Sequence, residues 1–144
     1  MPMKTLRVDD HEFREAVARL RRMMPGKVLG GLRVGEAIVI GEIKIAMAEP
    51  KHGRRYGYHV ASAPGEAPAI DTGELAGSVQ ELGSASSARE VWVEYGSDVP
   101  QAAFTELGTS RMAPRPWLRS ISYRKRGEVV AAFTAYLRQW FARV

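Results

Sequence analysis

The sequence predicts an α+β domain in which a small antiparallel sheet with a β-hairpin packs against two N-terminal helices and a long C-terminal helix. Three observations predict it. Apolar residues recur at helical spacing near both ends, Val91, Val93 and Tyr95 alternate with Trp92 and Glu94 between them, and Gly- and Pro-rich segments separate the two kinds of run. The 144 residues are the size of one domain, spanning 1–144, and a hydrophobic fraction of 45% is enough for one core without metal or disulfide help.

Asp9 or Asp10 is placed to cap a first helix whose apolar face is Phe13, Ala16, Val17, Leu20 and Met24, and Pro25-Gly26 predicts its end. A second helix is predicted within 27–49 from Val28, Leu32, Val39, Ile43 and Ala46. Residues 38–45 also read as a strand, and length decides for the helix. Gly30, Gly31, Gly35 and Gly41 each cost such a helix about 1 kcal/mol against Ala, so they predict close approach by another backbone. Pro50 ends it. Residues 51–72 are rich in Gly, Pro, Ser and Ala, with only Tyr56, Tyr58 and Val60 alternating, and predict a long loop with one short extended piece.

Residues 75–82 and 89–95 predict the two strands of the hairpin, joined by residues 83–87. Pro100 and Gly108 bracket a short helix over 100–107, because proline suits the first helical position and glycine the position just past the end. Pro116 opens a further helical turn through Trp117, Leu118 and Ile121. Over 128–144, Val130, Phe133, Leu137, Trp140, Phe141 and Val144 predict one apolar stripe facing the hairpin, with Arg138 and Arg143 at the end where the helix dipole favours cations.

The net charge of +5 lies in clusters: Arg19, Arg21 and Arg22; Lys51, Arg54 and Arg55; and Arg111, Arg115, Arg119, Arg124, Lys125 and Arg126. Such an excess suits a nucleic acid, an anionic surface or an acidic protein partner. The absence of cysteine excludes zinc-thiolate sites, thiol nucleophiles and disulfides together. No apolar targeting segment occupies residues 1–10, and Arg33, Glu36, Glu42 and Lys44 interrupt the apolar run at 27–49, so no membrane span is expected; a span needs roughly 20 apolar residues. His11, His52 and His59 have no metal-ligand spacing, and Glu94 and Glu106 are not placed across a cleft by any sequence signal, so no catalytic set, metal or cofactor is expected.

The remaining chemistry is that of docking. The run 51–58 interleaves bases with aromatics, which suits either phosphate contact and base stacking or an acidic protein surface. Residues 104–118 form a helix end, a glycine turn and a basic proline-rich segment. Trp117 is placed to anchor this segment either onto its own core or onto a neighbouring subunit. The candidate interface residues are Arg54, Arg55, Tyr56, Tyr58, Arg111, Met112, Arg115, Trp117 and Arg119.

The order Ser62-Ala-Pro-Gly-Glu-Ala-Pro-Ala-Ile-Asp-Thr-Gly-Glu-Leu75, Ser78-Val79, Glu106-Leu-Gly-Thr-Ser-Arg-Met112 and Arg115-Pro-Trp-Leu118 resembles the small tail-component family of long-tailed bacteriophages. Members are neck or tail-completion proteins. The resemblance implies an α+β fold and a non-enzymatic virion part that joins head to tail as a ring of identical copies. Its neighbours would be a head-closure or connector protein and a tail-tube or tail-terminator protein, with DNA passing through the lumen. It also implies that Asp71-Thr-Gly-Glu-Leu75 enters the first hairpin strand and that 107–112 form a tight turn and exposed loop before the last helices. Phe104 and Leu107 stand where members usually carry aromatics, and Ala102 or Ala103 replaces a frequent tyrosine. The other reading of the basic composition is a small nucleic-acid-binding module.

Overall fold

The computed structural model describes residues 11–144. The elements run α1 (His11–Ala48), β1 (Arg55–Tyr56), β2 (His59–Val60), α2 (Glu74–Ser78), β3 (Gln80–Ser86), β4 (Val91–Gly96), α3 (Pro100–Leu107) and α4 (Arg119–Phe141). The two sheets are antiparallel two-stranded hairpins, β1–β2 and β3–β4. The fold is α+β, as the sequence predicts. The Asp9 or Asp10 cap lies outside the described residues.

The two expected N-terminal helices are one helix of 38 residues that runs through Pro25. A mid-helix proline removes one hydrogen bond and crowds the preceding turn, at a cost of about 3 kcal/mol. Residues 21–23 are exposed, so the crowded turn is not wedged into a core, and the helix beyond it is held by α4. Tertiary packing therefore overrides the local stop signal.

The glycines on α1 set how α4 lies. A Cβ at Gly30 would collide with the Tyr136 hydroxyl, one at Gly31 would sit 2.8 Å from Phe133 Cδ2, and one at Gly35 would sit 2.6 Å from Val129 Cγ1. Positions ascend on α1 as they descend on α4, so the helices are antiparallel. The close approach expected at these glycines exists, but side chains of α4 make it rather than a backbone, and Gly41 faces open space. The inward face of α4 is thus Val129, Phe133 and Tyr136, at i, i+4 and i+7, and it packs on α1 rather than on the hairpin. Val130, Phe141 and Val144, expected on the buried stripe, are 62%, 50% and 70% exposed.

Residues 75–78 belong to α2 and not to the expected first hairpin strand. Gly73, at φ +83°, starts the helix, the Thr72 hydroxyl accepts from the Glu74 amide, and the Ser78 hydroxyl donates to the Leu75 carbonyl. The strand begins at Gln80. Residues 83–86, expected as the connection, pair with 91–94, and the turn is Ser87–Glu90, where the Ser87 hydroxyl accepts from the amides of Arg89 and Glu90. A register shift between Glu81 and Gly83 leaves Leu82 bulged outward.

Among the described residues the buried apolar core is Val39, Ile43, Ala46, Met47, Leu75, Val79, Ala102, Trp117 and Ile121. All of it lies around the C-terminal half of α1. No described residue before Gly31 is buried. Extending the α1–α4 register places the end of α4 beside residues 23–25, so the first turns of α1 project about 18 Å beyond it at 1.5 Å per residue.

Two glycine substitutions test this packing. Gly41→Ala meets nothing within 4 Å and is expected to raise the unfolding free energy by up to about 1 kcal/mol. Gly31→Ala drives a methyl into Phe133 and is expected to lower it by about 1–2 kcal/mol. Urea unfolding of both variants measures the difference, and equal effects contradict the helix pairing.

Candidate functional site

Residues 104–118 are built around Glu106. Pro100 starts α3 and Gly108 ends it, the Gly108 amide donating to the Phe104 carbonyl at 2.9 Å. Gly108 has φ +75°, and a Cβ there would sit 2.8–2.9 Å from the Met112 carbonyl and the Pro114 ring, so this turn admits only glycine. The reversal brings residues 117–119 back to α3. The Glu106 carboxylate then accepts from the amides of Trp117 (2.7 Å), Leu118 (2.9 Å) and Arg119 (3.0 Å). The first amides of a helix lack intrahelical partners and its N-terminus carries partial positive charge, so a carboxylate there both caps and stabilises α4. Glu106 is a structural clasp.

Trp117 is 2% exposed. Its indole N–H donates to the Ala102 carbonyl at 3.2 Å and the Thr105 hydroxyl at 3.1 Å, which satisfies the ring's one polar atom inside the core. Of its two expected uses, then, Trp117 serves its own core and is withdrawn from any surface. Arg115 is also structural: its amide donates to the Thr105 carbonyl, and its guanidinium holds the Ser62 carbonyl and hydroxyl and the Ala113 carbonyl. That bridge, with the Gly65 amide donating to the Pro114 carbonyl, ties residues 62–65 to 113–115. Leu75 and Trp117 meet in the same core. The two halves of the ordered motif are therefore joined in space, and Asp71-Thr-Gly-Glu-Leu75 leads into α2 beside a cleft of about 310 Å³ whose walls include Met47, Ile70 and Thr105.

The long loop has its own fastener. Glu66 accepts from the amides of Ala63 and His52 and pairs with His52 Nδ1. The Ala63 amide first, then the His52 side chain and amide, lower its pKa to about 2. This fastener holds a hairpin arm whose tip is fully available. Arg54, Arg55 and Tyr56 are exposed, Tyr58 is 100% exposed, and the Arg54 guanidinium lies 5.2 Å from the centre of the Tyr56 ring. Arg111 is exposed on the Thr109–Met112 turn, Met112 is half-buried, and Arg119 is exposed with only its amide in the clasp. Phe104 and Leu107 on the outer face of α3 are 56% and 61% exposed.

The nine candidate interface residues thus separate into an exposed arm of four, the exposed Arg111 on its turn and Arg119 at the start of α4, the half-buried Met112, the half-buried Arg115 that bridges two loops, and the buried Trp117. Sequence reasoning passed over Glu36. It falls on the apolar stripe of α1 between Leu32 and Val39 and is 8% exposed, its Oε1 having no hydrogen-bond partner. Burial first, and the neighbouring Glu81 carboxylate second, raise its pKa. Glu81 itself is held at about 2, chiefly by Arg33, whose Nε and Nη2 donate to its two oxygens at 2.9 Å, and by Ser84. The signal for Glu36 was present in its spacing: a carboxylate at i+4 from Leu32 and i−3 from Val39 lies on the buried face.

Removing the clasp with Glu106→Ala is expected to cost about 2 kcal/mol in urea unfolding, since a charged cap serving three amides goes with it. A loss no larger than that at an exposed glutamate such as Glu128 contradicts the clasp.

The pH dependence has two limbs of opposite sign. Glu66 and Glu81 have folded pKa values of about 2 against 4.5, so their contribution to stability is present above pH 4.5 and is lost as the pH falls toward 2. Glu36 is raised, so its contribution is present below 4.5 and is lost as the pH rises through its folded value. Glu66→Gln is expected to flatten the acid limb and Glu36→Gln the upper one, read from denaturant midpoints across pH. A wild-type midpoint constant between pH 5 and 2 contradicts the first assignment.

No helix among the described residues is long and apolar enough to cross a membrane. No protein-family model, curated protein or solved structure matches the chain.

Proposed function

We propose that this chain is a structural, non-enzymatic part of the virion of a tailed phage or prophage, working in head-to-tail joining or tail completion as one copy of a ring-shaped neck. The observation that carries the reading is the ordered motif of residues 62–79 and 106–118. Its first half meets its second through Arg115–Ser62, and Leu75 and Trp117 belong to one buried core. The motif supplies a rigid frame, and the surfaces the frame leaves outside are those a ring subunit needs. The arm at Arg54–Tyr58 and the turn at Arg111 are basic and aromatic, while Phe104 and Leu107 on α3 are apolar and exposed. Different patches meeting on successive copies close a ring when the rotation closes. The other partners in this reading are a head-closure or connector protein on one side and a tail-tube or tail-terminator protein on the other, with DNA in transit through the lumen.

The test is genetic and structural. In a producing lysogen, removing the gene is expected to leave DNA-filled heads and separate tails in electron micrographs, and complementation is expected to restore joined particles that contain the protein. Intact joined particles without it contradict the proposal. The exposed Tyr58 and the Arg54–Tyr56 stack also favour a second reading, a nucleic-acid-binding module. That reading expects the isolated protein to bind single or double strands with steep salt dependence and to lose affinity in Tyr58→Ala, and no binding at low salt removes it.

A further inference from the structure

One buried acid has no cation paired with it among the described residues: Glu36 shares a hydrogen bond with the Glu81 carboxylate, and its Oε1 has no donor. Glu36 sits in the wall of a cleft of about 250 Å³ between α1, β4 and α4, among Leu32, Val39, Val93 and Val129, with Arg126 also among the lining residues. The cations nearby have other contacts: Arg33 pairs with Glu81, Lys125 and Arg124 pair with Glu42 further along α1, and Arg126 lies over the Tyr123 ring. A buried carboxyl oxygen without a donor costs free energy, about 1–3 kcal/mol for an ordinary polar group. An apolar slot beside a buried acid that no cation pairs with has the chemistry to receive a cation on an aliphatic stem.

The same chain carries such a cation where no described residue buries it. The projecting start of α1 bears Phe13, Val17, Leu20 and Met24 along one stripe, with Phe13 70% exposed. Arg21 stands two turns after Phe13 and one after Val17, at the edge of that stripe, exposed and without an ion pair among the described residues. Its guanidinium is always charged and its stem is apolar, and guanidinium tolerates partial desolvation better than ammonium.

We propose that the Glu36 cleft is a receptor for Arg21 of a second copy of this chain, the apolar stripe of the incoming α1 covering the rim of the cleft around Val130. The contact joins two different patches, so each copy gives an arginine to one neighbour and receives one from the other. Rotation of the Glu36 side chain turns its orphaned oxygen to the incoming guanidinium. Docking favours the ionised acid, so each contact releases a proton from the fraction of chains in which Glu36 is protonated, and association strengthens as pH rises. The other charged or titratable groups around the cleft do not supply this dependence: Glu81 is ionised and paired with Arg33, Arg126 stacks on Tyr123, and the Tyr95 hydroxyl donates to Ser122. The inference rests on the ring reading and names the contact that builds it.

Sedimentation of the full chain from about pH 5 to pH 8, above the ordinary carboxyl range, tests it. The wild type is expected to associate more strongly as pH rises. Glu36→Gln and Arg21→Gln are each expected to weaken association about thirtyfold or more at the upper pH and to flatten its pH dependence. An equimolar mixture of the two variants is expected to stop at heterodimers, since one intact contact survives in each pair. Because the chain lacks cysteine, a mixture of Val17→Cys and Val130→Cys chains, both keeping Arg21 and Glu36, is expected to give a disulfide-linked dimer that neither forms as fast alone. Association of Glu36→Gln indistinguishable from wild type overturns the inference while leaving the ring reading standing. A wild type that stays monomeric across this range also overturns it, and the neck reading is then decided by the particles made without the gene.

Discussion

Everything in this fold follows from the three amides that Glu106 gathers at the start of α4. α3 and α4 are joined by a reversal that only Gly108 permits, and a reversal alone does not fix where the next helix points. The carboxylate does, because its two oxygens bind three successive N–H groups that lead into the first residue of α4. With α4 so aimed, Trp117 drops into the core against Ala102, and Val129, Phe133 and Tyr136 run back along the glycines of α1. The hairpin β3–β4 then closes the third side through Tyr95 and Ser122. A two-stranded hairpin is marginal by itself, so it depends on the helix pair, and the helix pair depends on the clasp.

The same arrangement leaves the molecule lopsided. Its core gathers at the end where α2, α3 and the start of α4 meet the C-terminal half of α1, and the other end is two helices and then one. Among the described residues none buries the apolar stripe of this first stretch, and an isolated helix draws little stability from propensity alone. The outward Val130, Phe141 and Val144 of α4 and Trp92 and Leu82 of the hairpin add to the uncovered apolar surface. Scattered exposed apolar residues are ordinary; the stripe on the projecting helix and the buried acid that no cation meets are the two features the proposed contact between copies uses.

Much of this was legible in the sequence, and the failures have definite physical causes. α3 falls on the expected residues because both of its ends carry local signals, proline at the start and a left-handed glycine at the finish. Pro25 misleads because its penalty is a fixed few kcal/mol, which packing against α4 outweighs further along. The stripe on α4 was assigned to Val130 when the inward residue is Val129, a rotation of one position that a helix with apolar residues on several sides does not resolve. The motif around Glu106 suggested an exposed surface, yet its tryptophan and one arginine are internal, because a contact made across eleven residues and a turn has no periodic signature. Glu36 shows the opposite case: its place on the buried face could be counted from Leu32 and Val39, but only the fold shows that no cation meets it.

One half of this chain is closed by the Glu106 clasp, and the other half is the part that the proposed assembly would cover. Amide hydrogen exchange, residue by residue, in the isolated chain and in assembled particles tests it most directly. The amides of Trp117, Leu118 and Arg119 are expected to exchange as slowly as those of Ile43 and Ile121 in both states, while residues 13–24 are expected to exchange quickly in the isolated chain and to be protected only after assembly. Clasp amides that exchange at the rate of the 51–72 loop, or a start of α1 equally protected in both states, would contradict it.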